Sequence, residues 1–589
     1  GLIPMPDCRS ALVHSIPNIL KLIDDDGDGK ADRREPAYSA FGFRDTHGMT
    51  NAFHWGFDGW IYACHGFSNT SSVAGKDKHA ITMTSGNTYR MRPDGTHVEQ
   101  YTHGQVNPFG LALDPLGRFY TCDCHSRPIY QILRGAWYPS FGAPHDGLGF
   151  GPEMMSHDHG STGIAGIVNY QADQFPPAYL GRVMIGNVVT NRINQDVLEW
   201  RGSTPKALQQ PDFLTSDDDW FRPVDLKIGP DGAMYVADFY NRIIGHYEVP
   251  LTHPGRDRER GRIWRIVYRG TEARAPLMST LDLTKATLDE LIALLGDANM
   301  TLRLRAANQV VERFGSAGRP TSRFERIAVE DSNVNRRVHA LWILERWGDL
   351  RADLVAKAAE AGSPEPLRVH AMRVLAEFPS LTTSLRGLVF KGLRDVDAVV
   401  RSAAAETLAV HPDAANIRPL LDARHVVDEA DTHLTHVIRM ALRDQLRAVG
   451  NWEKLKGMTL DEADRRAVAD VATGVPSAAA ASYLAGHLEQ VVEPLGNRLR
   501  YVHHAARFGD AATRLRVEAY LGGVAGKDTA IDLAELWRAD LQGTQEGGAR
   551  PSEKGSAAVA ELAGKLLTGS ARNEVSRGVE LATTLRSPA

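Results

Sequence analysis

Four short runs in this chain of 589 residues end in a polar side chain at the same offset. They begin at Gly59, Gly117, Gly181 and Gly232, and each carries a small residue five positions on (Cys64, Cys122, Gly186, Ala237). Six positions on stand His65, Asp123, Asn187 and Asp238. An imidazole, two carboxylates and an amide gathered at one centre would make a polar site, able to bind a polar ligand and to take a proton from it. Two loops ahead of these runs add candidates. Asn107 leads into the second run through Asn107-Pro108-Phe109-Gly110, and Arg222 and Asp225 lead into the fourth through Phe221-Arg222-Pro223-Val224-Asp225. The planar fork of Arg222 could meet a carboxylate or an oxyanion, or pair structurally with Asp225 or a neighbouring repeat.

Metal chemistry has two candidate sources. The segment from Asp24 to Glu35 puts oxygen donors at positions one, three, five, nine and twelve (Asp24, Asp26, Asp28, Asp32, Glu35), with Lys30 at seven and Gly29 at six. That is the spacing of a twelve-residue calcium loop. Ala31 stands at position eight where a larger aliphatic is usual, so a Ca²⁺ loop between two strands is expected, with a solvated acidic turn as the alternative. Calcium there would brace the loop and perform no chemistry. Of the 22 histidines, His47, His54, His65, His97, His103, His125, His145, His157 and His159 fall in the first part of the chain. His157-Asp158-His159 would put two imidazoles on one side of a strand, a spacing compatible with a transition metal or with two rings bonded to backbone.

Other chemistries lack their motifs. Cys122-Asp123-Cys124-His125 has one residue between its cysteines where haem attachment needs two. There is no phosphate-cradling glycine loop with lysine and no Gly-x-Ser-x-Gly elbow. The net charge of −5 gives no support to a nucleic-acid or anionic-membrane partner, and no apolar run approaches the roughly 20 residues that cross a bilayer.

The elements that must position these residues can be read from the repeats. The glycines are 58, 64 and 51 residues apart, and each opens an alternating aromatic or aliphatic run. Turn formers precede three of them, in Phe57-Asp58, Asp114-Pro115-Leu116 and Gly229-Pro230-Asp231. Periods near 50 predict a β-propeller over residues 1–270, of which about four blades are visible. Near Arg269 the texture turns Ala/Leu/Arg-rich, so 271–276 is expected to be a linker and 277–589 an α-solenoid. Arg303-x-x-Ala306-x-x-x-Val310 recurs from Arg337, Arg368 and Arg401 at intervals of 34, 31 and 33 residues, the pattern of HEAT-like repeats. The spacing loosens after about Asp431, and Gly543 to Gly555 reads as a polar loop. Cys64 and Cys122 share one offset and could bridge adjacent blades or stay as two buried thiols. The chain starts directly in strand-like sequence, so further N-terminal residues, and no legible export signal, are expected.

Together these segments resemble the membrane-bound dehydrogenase family of planctomycetes and verrucomicrobia. The resemblance rests on Asp26-Gly27-Asp28-Gly29-Lys30-Ala31-Asp32, Gly42-Phe43-Arg44-Asp45-Thr46-His47-Gly48, Gly104-Gln105-Val106-Asn107-Pro108-Phe109-Gly110, His159-Gly160-Ser161-Thr162-Gly163-Ile164-Ala165-Gly166, Arg222-Pro223-Val224-Asp225 and Gly261-Arg262-Ile263-Trp264-Arg265-Ile266. It implies an exported, periplasmic or cell-envelope protein with a propeller similar to that of soluble sugar dehydrogenases, six blades in the complete form, followed by HEAT-like repeats. It also implies a C-terminal c-type cytochrome module, for which this chain has no attachment motif.

Three functions compete on these residues. A dehydrogenase would oxidise a sugar or alcohol, with His47 or His159 taking the hydroxyl proton and Arg222 steadying the carboxylates of pyrroloquinoline quinone (PQQ). Around that pocket would stand His65, Asn107, Asp123, Asn187, Asp225 and Asp238, and electrons would pass to a haem or quinone acceptor such as a cytochrome. A carbohydrate-binding or protein-binding scaffold would use the same surfaces, the repeats included, without turnover. A polysaccharide hydrolase or lyase would need a carboxylate pair, for which the axial Asp123 and Asp238 are the candidates, or a His/Arg/metal site.

Overall fold

The computed structural model describes residues 1–245, 249–272, 282–316 and 318–586. Residues 273–276 of the expected linker lie outside them. The chain divides into two compact units. Residues 1–145, 150–407 and 428–437 make the first, and 146–149, 408–427 and 438–589 the second.

Among its described residues the first unit holds five sheets of at least three strands, antiparallel throughout except where Trp137–Tyr138 joins Val98–Gly104 in parallel. The four repeats account for four of them. Their leading hairpins are Asn51–Trp55 with Ile61–His65, Asn107–Leu113 with Phe119–Cys124, Ile164–Asn169 with Val183–Asn187, and Pro223–Ile228 with Met234–Asp238. A fifth, four-stranded sheet precedes them (Leu2–Pro4, Ser10–Ser15, Asn18–Ile23, Arg33–Tyr38), and its weaker alternation hid it from the repeat pattern. In all four repeats the first strand slips register just inside its entrance, between Asn51 and His54, Pro108 and Leu111, Ala165 and Ile167, and Pro223 and Asp225. Such a bulge bends and twists a strand, which lets successive first strands lie side by side at the centre of a propeller.

The repeat motif is explained at the hairpin turns. Asp58, Asp114 and Asp231 each accept from a backbone N–H two residues on and from the hydroxyl of a strand tyrosine, Tyr62 (2.7 Å), Tyr120 (3.1 Å) or Tyr235 (3.1 Å). Each also pairs with an arginine, Arg90, Arg118 or Arg265. The third repeat has Met184 in place of the tyrosine and lacks this lock.

Helices α1 (Leu288–Leu294), α2 (Met300–Phe314), α3 (Thr321–Glu330), α4 (Val334–Trp347), α5 (Ala352–Ala358), α6 (Glu365–Ala376), α7 (Thr383–Gly392) and α8 (Ala398–Val410) follow as hairpins. The alanines of the HEAT-like pattern, Ala306, Ala340, Ala371 and Ala404, are fully buried, as are Val310, Leu344, Leu375 and Leu408. Small side chains at the seam let α2, α4 and α6 stack closely. The arginines that open the pattern hold the preceding connection: Arg303 donates to Asp297 O and Ala298 O, and Arg401 to Asp395 O and Val396 O.

This inner helix row closes over the turn end of the propeller. Asn299 and Thr301 donate to Gly229 O and Ile228 O, His370 bonds Pro115 O at 2.8 Å, Arg373 donates to Leu116 O, and Asp431 accepts from Ser203 and Thr204. The inner faces of α2 and α6 therefore carry propeller turns.

The second unit is helical. Its later helices are Glu462–Ala472, Ala478–Gln490, Leu495–Phe508, Ala511–Val524, Ala530–Glu546, Glu553–Leu567 and Arg572–Arg586. The polar loop expected from Gly543 to Gly555 is shorter, because the helix continues to Glu546 and the next begins at Glu553. Gly543 stands inside the helix because a Cβ there would lie 2.3 Å from His503 O. Among the described residues no helix is long and apolar enough to cross a membrane.

Candidate functional site

Opposite the turns, the propeller ends in loops, and the sequence candidates gather there by repeat. Each strand-end residue is buried and serves its own repeat. Asp123 accepts from the backbone N–H of Asn107 (2.6 Å) and Val106 (3.1 Å) and from the Ser126 hydroxyl. Asp238 accepts from Arg222 N (2.8 Å), Tyr240 N, Arg262 and the Trp264 indole. Asn187 donates to His159 O (3.1 Å), and His65 bonds Ser85 O and the Ser71 hydroxyl. Among the described residues no hydrogen bond joins any two of the four. At Asp123, Asn187 and Asp238 the common offset reproduces one local task, pinning the incoming loop to the second strand, whereas His65 ties its strand to Ser71 and Ser85 further along the chain.

Burial sets the charge of these groups. It pushes the Asp123 carboxyl up to about 7, against the hydrogen bonds from Ser126, Asn107 and Val106. It lowers the His65 imidazole, so that ring is neutral at pH 7. Cys64 and Cys122 are free thiols 0% exposed, directed to Gly110 O and Phe109 O, and burial raises Cys64 to about 12; no bridge joins them.

Arg222 does not offer its fork to a ligand. It is 7% exposed, and its guanidinium donates to Asn241 O, Val188 O, Asn191 Oδ1 and Arg242 O. Four of its five donors are therefore spent on the loops around it. Asp225, its alternative partner, pairs with Lys227 at 3.0 Å instead.

Loops of neighbouring repeats meet on this end. Asn107 accepts from Phe67 N (3.1 Å) and donates to His47 O (3.5 Å), His125 N donates to Thr162 O, and Arg222 reaches Val188 and Asn191. Asn69, fully buried and unmarked in the sequence, donates to Asp45 O and Gly48 O and accepts from Asp45 N, which fixes the loop bearing His47. Gly48 is needed there, since a Cβ would sit 2.0 Å from Phe67 O. His47 and Arg44 are exposed on this loop. Phe141, 66% exposed, packs edge-on against Phe67 (5.5 Å) and lies 6.2 Å from His125. The face thus combines exposed imidazoles with aromatic rings.

His159 belongs to a different cluster. Its side chain is 0% exposed, and its Nε2 lies 2.9 Å from Asp196, whose other oxygen meets His157 Nε2 at 2.8 Å. Nothing in the repeat pattern marked Asp196.

The predicted calcium loop lies between strands Asn18–Ile23 and Arg33–Tyr38. Asp24, Asp26 and Asp28 bring their oxygens within 4.8 Å of one another. The other positions are used otherwise: Asp32 accepts from Asp25 N, Lys30 pairs with Asp28, and Glu35 pairs with Arg33.

Residues 1–270 match the model of a domain of unknown function, DUF7133. No curated protein matches the chain. Solved structures similar to it include a glucose dehydrogenase, at 17% identity and a TM-score of 0.29 over 40% of this chain and 78% of that one. The PQQ-bound form of aldose sugar dehydrogenase from Streptomyces coelicolor is 17% identical, with a TM-score of 0.30 over 45% of this chain and 78% of that one. An oxidoreductase (glucose dehydrogenase) from Thermus thermophilus is 16% identical, with a TM-score of 0.26 over 45% and 95%.

Proposed function

We propose that the chain is the sugar- or alcohol-oxidising part of an exported, cell-envelope dehydrogenase of the membrane-bound family it resembles, and that it works on the loop face around His47. The carrying observation is that His47 is exposed on a loop fixed by Asn69 and Asn107, while helices cover the opposite end. His159, the other candidate base, has no exposed side-chain surface. His47 would take the hydroxyl proton as the carbon is oxidised, and the electrons would pass to a quinone or cytochrome acceptor.

PQQ carries three carboxylates, and its expected holder does not suit them, because protein acceptors take four of the five donors of Arg222 and leave no two-pronged face. Arg44, exposed on the same loop as His47, is a guanidinium that could meet a cofactor carboxylate. When bound, PQQ would accept two electrons from the substrate carbon. Calcium would brace the Asp24, Asp26 and Asp28 loop, away from this chemistry.

The test is dye-linked oxidation of a panel of aldoses and alcohols by protein supplied with PQQ and Ca²⁺. Expected is turnover that falls about 10²–10⁴-fold in His47→Ala, with a higher PQQ requirement in Arg44→Ala. Unchanged turnover in His47→Ala, or no PQQ binding and no oxidation in the wild type, would sink the proposal. Phe67, Phe141 and His125 favour a second reading, carbohydrate binding without turnover, since sugar faces pack on aromatic rings. Glycan binding that survives His47→Ala with no redox activity would select it. Asp123 and Asp238 sit in separate sheets, and among the described residues each bonds within its own repeat and not to the other, which gives the hydrolase reading no support.

A further inference from the structure

We propose that His157, His159 and Asp196 form a site for a divalent transition-metal ion of the zinc class. His157 and His159 lie on the loop before strand Ile164–Asn169, and Asp196 lies on strand Arg192–Arg201 of the same sheet. Both Nε2 atoms aim at one carboxylate, at 2.8 and 2.9 Å from its two oxygens, with the rings perpendicular and 5.0 Å apart. One ligand atom from each residue falls within 4.8 Å of the others. Ligands about 2.0–2.2 Å from a tetrahedral zinc lie roughly 3.5 Å apart, so the cluster must open slightly to admit the ion. His157, with 21% of its side chain exposed, stands on the side that can give.

Charge argues in the same direction. Asp196 is 0% exposed, and its side chain meets no lysine or arginine among the described residues, only the two imidazoles. The buried Asp464 of the second unit makes the contrast: Arg418 grips it with two hydrogen bonds. A buried carboxylate whose side-chain partners are two imidazoles has no permanent cation beside it, and a divalent ion would supply one. Two imidazole nitrogens and one carboxylate oxygen suit zinc or another first-row ion and disfavour Ca²⁺ or Mg²⁺, which select oxygen.

The surroundings have the form of a support for ligands. The Gln209 side-chain amide is 3.5 Å from His159 Nδ1, and with its oxygen turned inward it would hold the proton on Nδ1 and leave Nε2 for the metal. Asn187 fixes the backbone through His159 O. Solvent access beside His157 leaves room for a water as fourth ligand, the open arrangement found in reactive zinc sites.

The test starts from full-length protein stripped with a chelator and titrated with Zn²⁺ by calorimetry, with Co²⁺ as a spectroscopic stand-in. Expected are one ion per chain, a Co²⁺ spectrum of nitrogen-and-oxygen ligation, and a rise in thermal midpoint with Zn²⁺. His157→Ala, at a partly exposed position that should fold, is expected to weaken binding at least 100-fold. Gln209→Ala should weaken it about 10-fold by loosening the ring it orients. Excess Ca²⁺ should not compete. Failure of the stripped wild type to bind Zn²⁺, or stoichiometric binding unchanged in His157→Ala, would overturn the site.

Discussion

Asp540 states the cost of a buried carboxyl most simply. It lies on helix Ala530–Glu546 at 2% exposure, with its Oδ1 buried and unpartnered. Burial, helped by nearby Glu518 and opposed by Arg514, pushes its carboxyl up to about 7. The folded chain then keeps a proton that the unfolded chain gives up near pH 4, so this group's stabilisation is complete below about pH 4 and drains away up to about pH 7. Asp540→Asn should abolish that slope and raise stability near pH 8 by up to about 4 kcal/mol. Urea midpoints measured between about pH 5 and 8 check it, and parallel profiles for the two proteins would refute it. Residue types were legible at this scale; partners were not. Asp123 and Asp238 announce carboxylates at a common offset, yet what each accepts is decided by Asn107 N, Val106 N and Arg222 N arriving from a loop. Asp196 shows the reverse, an unremarked residue that long-range pairing brings to two conspicuous histidines.

The hairpin turn is the element in which sequence and structure agree most closely. Alternation locates the second strand of all four hairpins, and turn formers mark three of the turns, because both signals are local. The bulge in each first strand escaped, since register exists only between partners. In the sequence the tyrosine at the third position reads as part of an apolar alternation, whereas in the structure its hydroxyl closes on the turn aspartate. Tyr120→Phe removes one such bond and leaves Asp114 its arginine, so a loss of about 1 kcal/mol is expected. Asp114→Ala strands Arg118, whose side chain is 11% exposed, together with the tyrosine hydroxyl. A loss of about 3–5 kcal/mol follows. Equal losses for the two variants in denaturant unfolding would mean that the aspartate does not organise the turn.

Within the first unit, one ion cluster ties propeller to helices, and it fixes which propeller end remains for a ligand. Arg90, 2% exposed, pairs with Asp58 (3.2 Å), Glu99 (2.7 Å) and Glu377 of α6's C-terminal end (2.8 Å), and Arg134 joins both glutamates. No local pattern could have announced it, because Arg90 and Glu377 are 287 residues apart in sequence. Burial alone would raise the Glu377 carboxyl, but Arg90 and Arg134 outweigh it and hold it down at about 2. A depressed carboxyl stabilises the fold above its unfolded pKa, so this contribution is whole above about pH 4.5 and is lost as the pH falls toward 2. Glu377→Gln should therefore cost about 3 kcal/mol near pH 7, with the gap to the wild type closing below about pH 3. Because the cluster lies at the turn end, the same variant should leave ligand affinity at the His47 loop unchanged wherever the protein stays folded. A gap that persists in acid would show that packing, and not charge, joins α6 to the propeller.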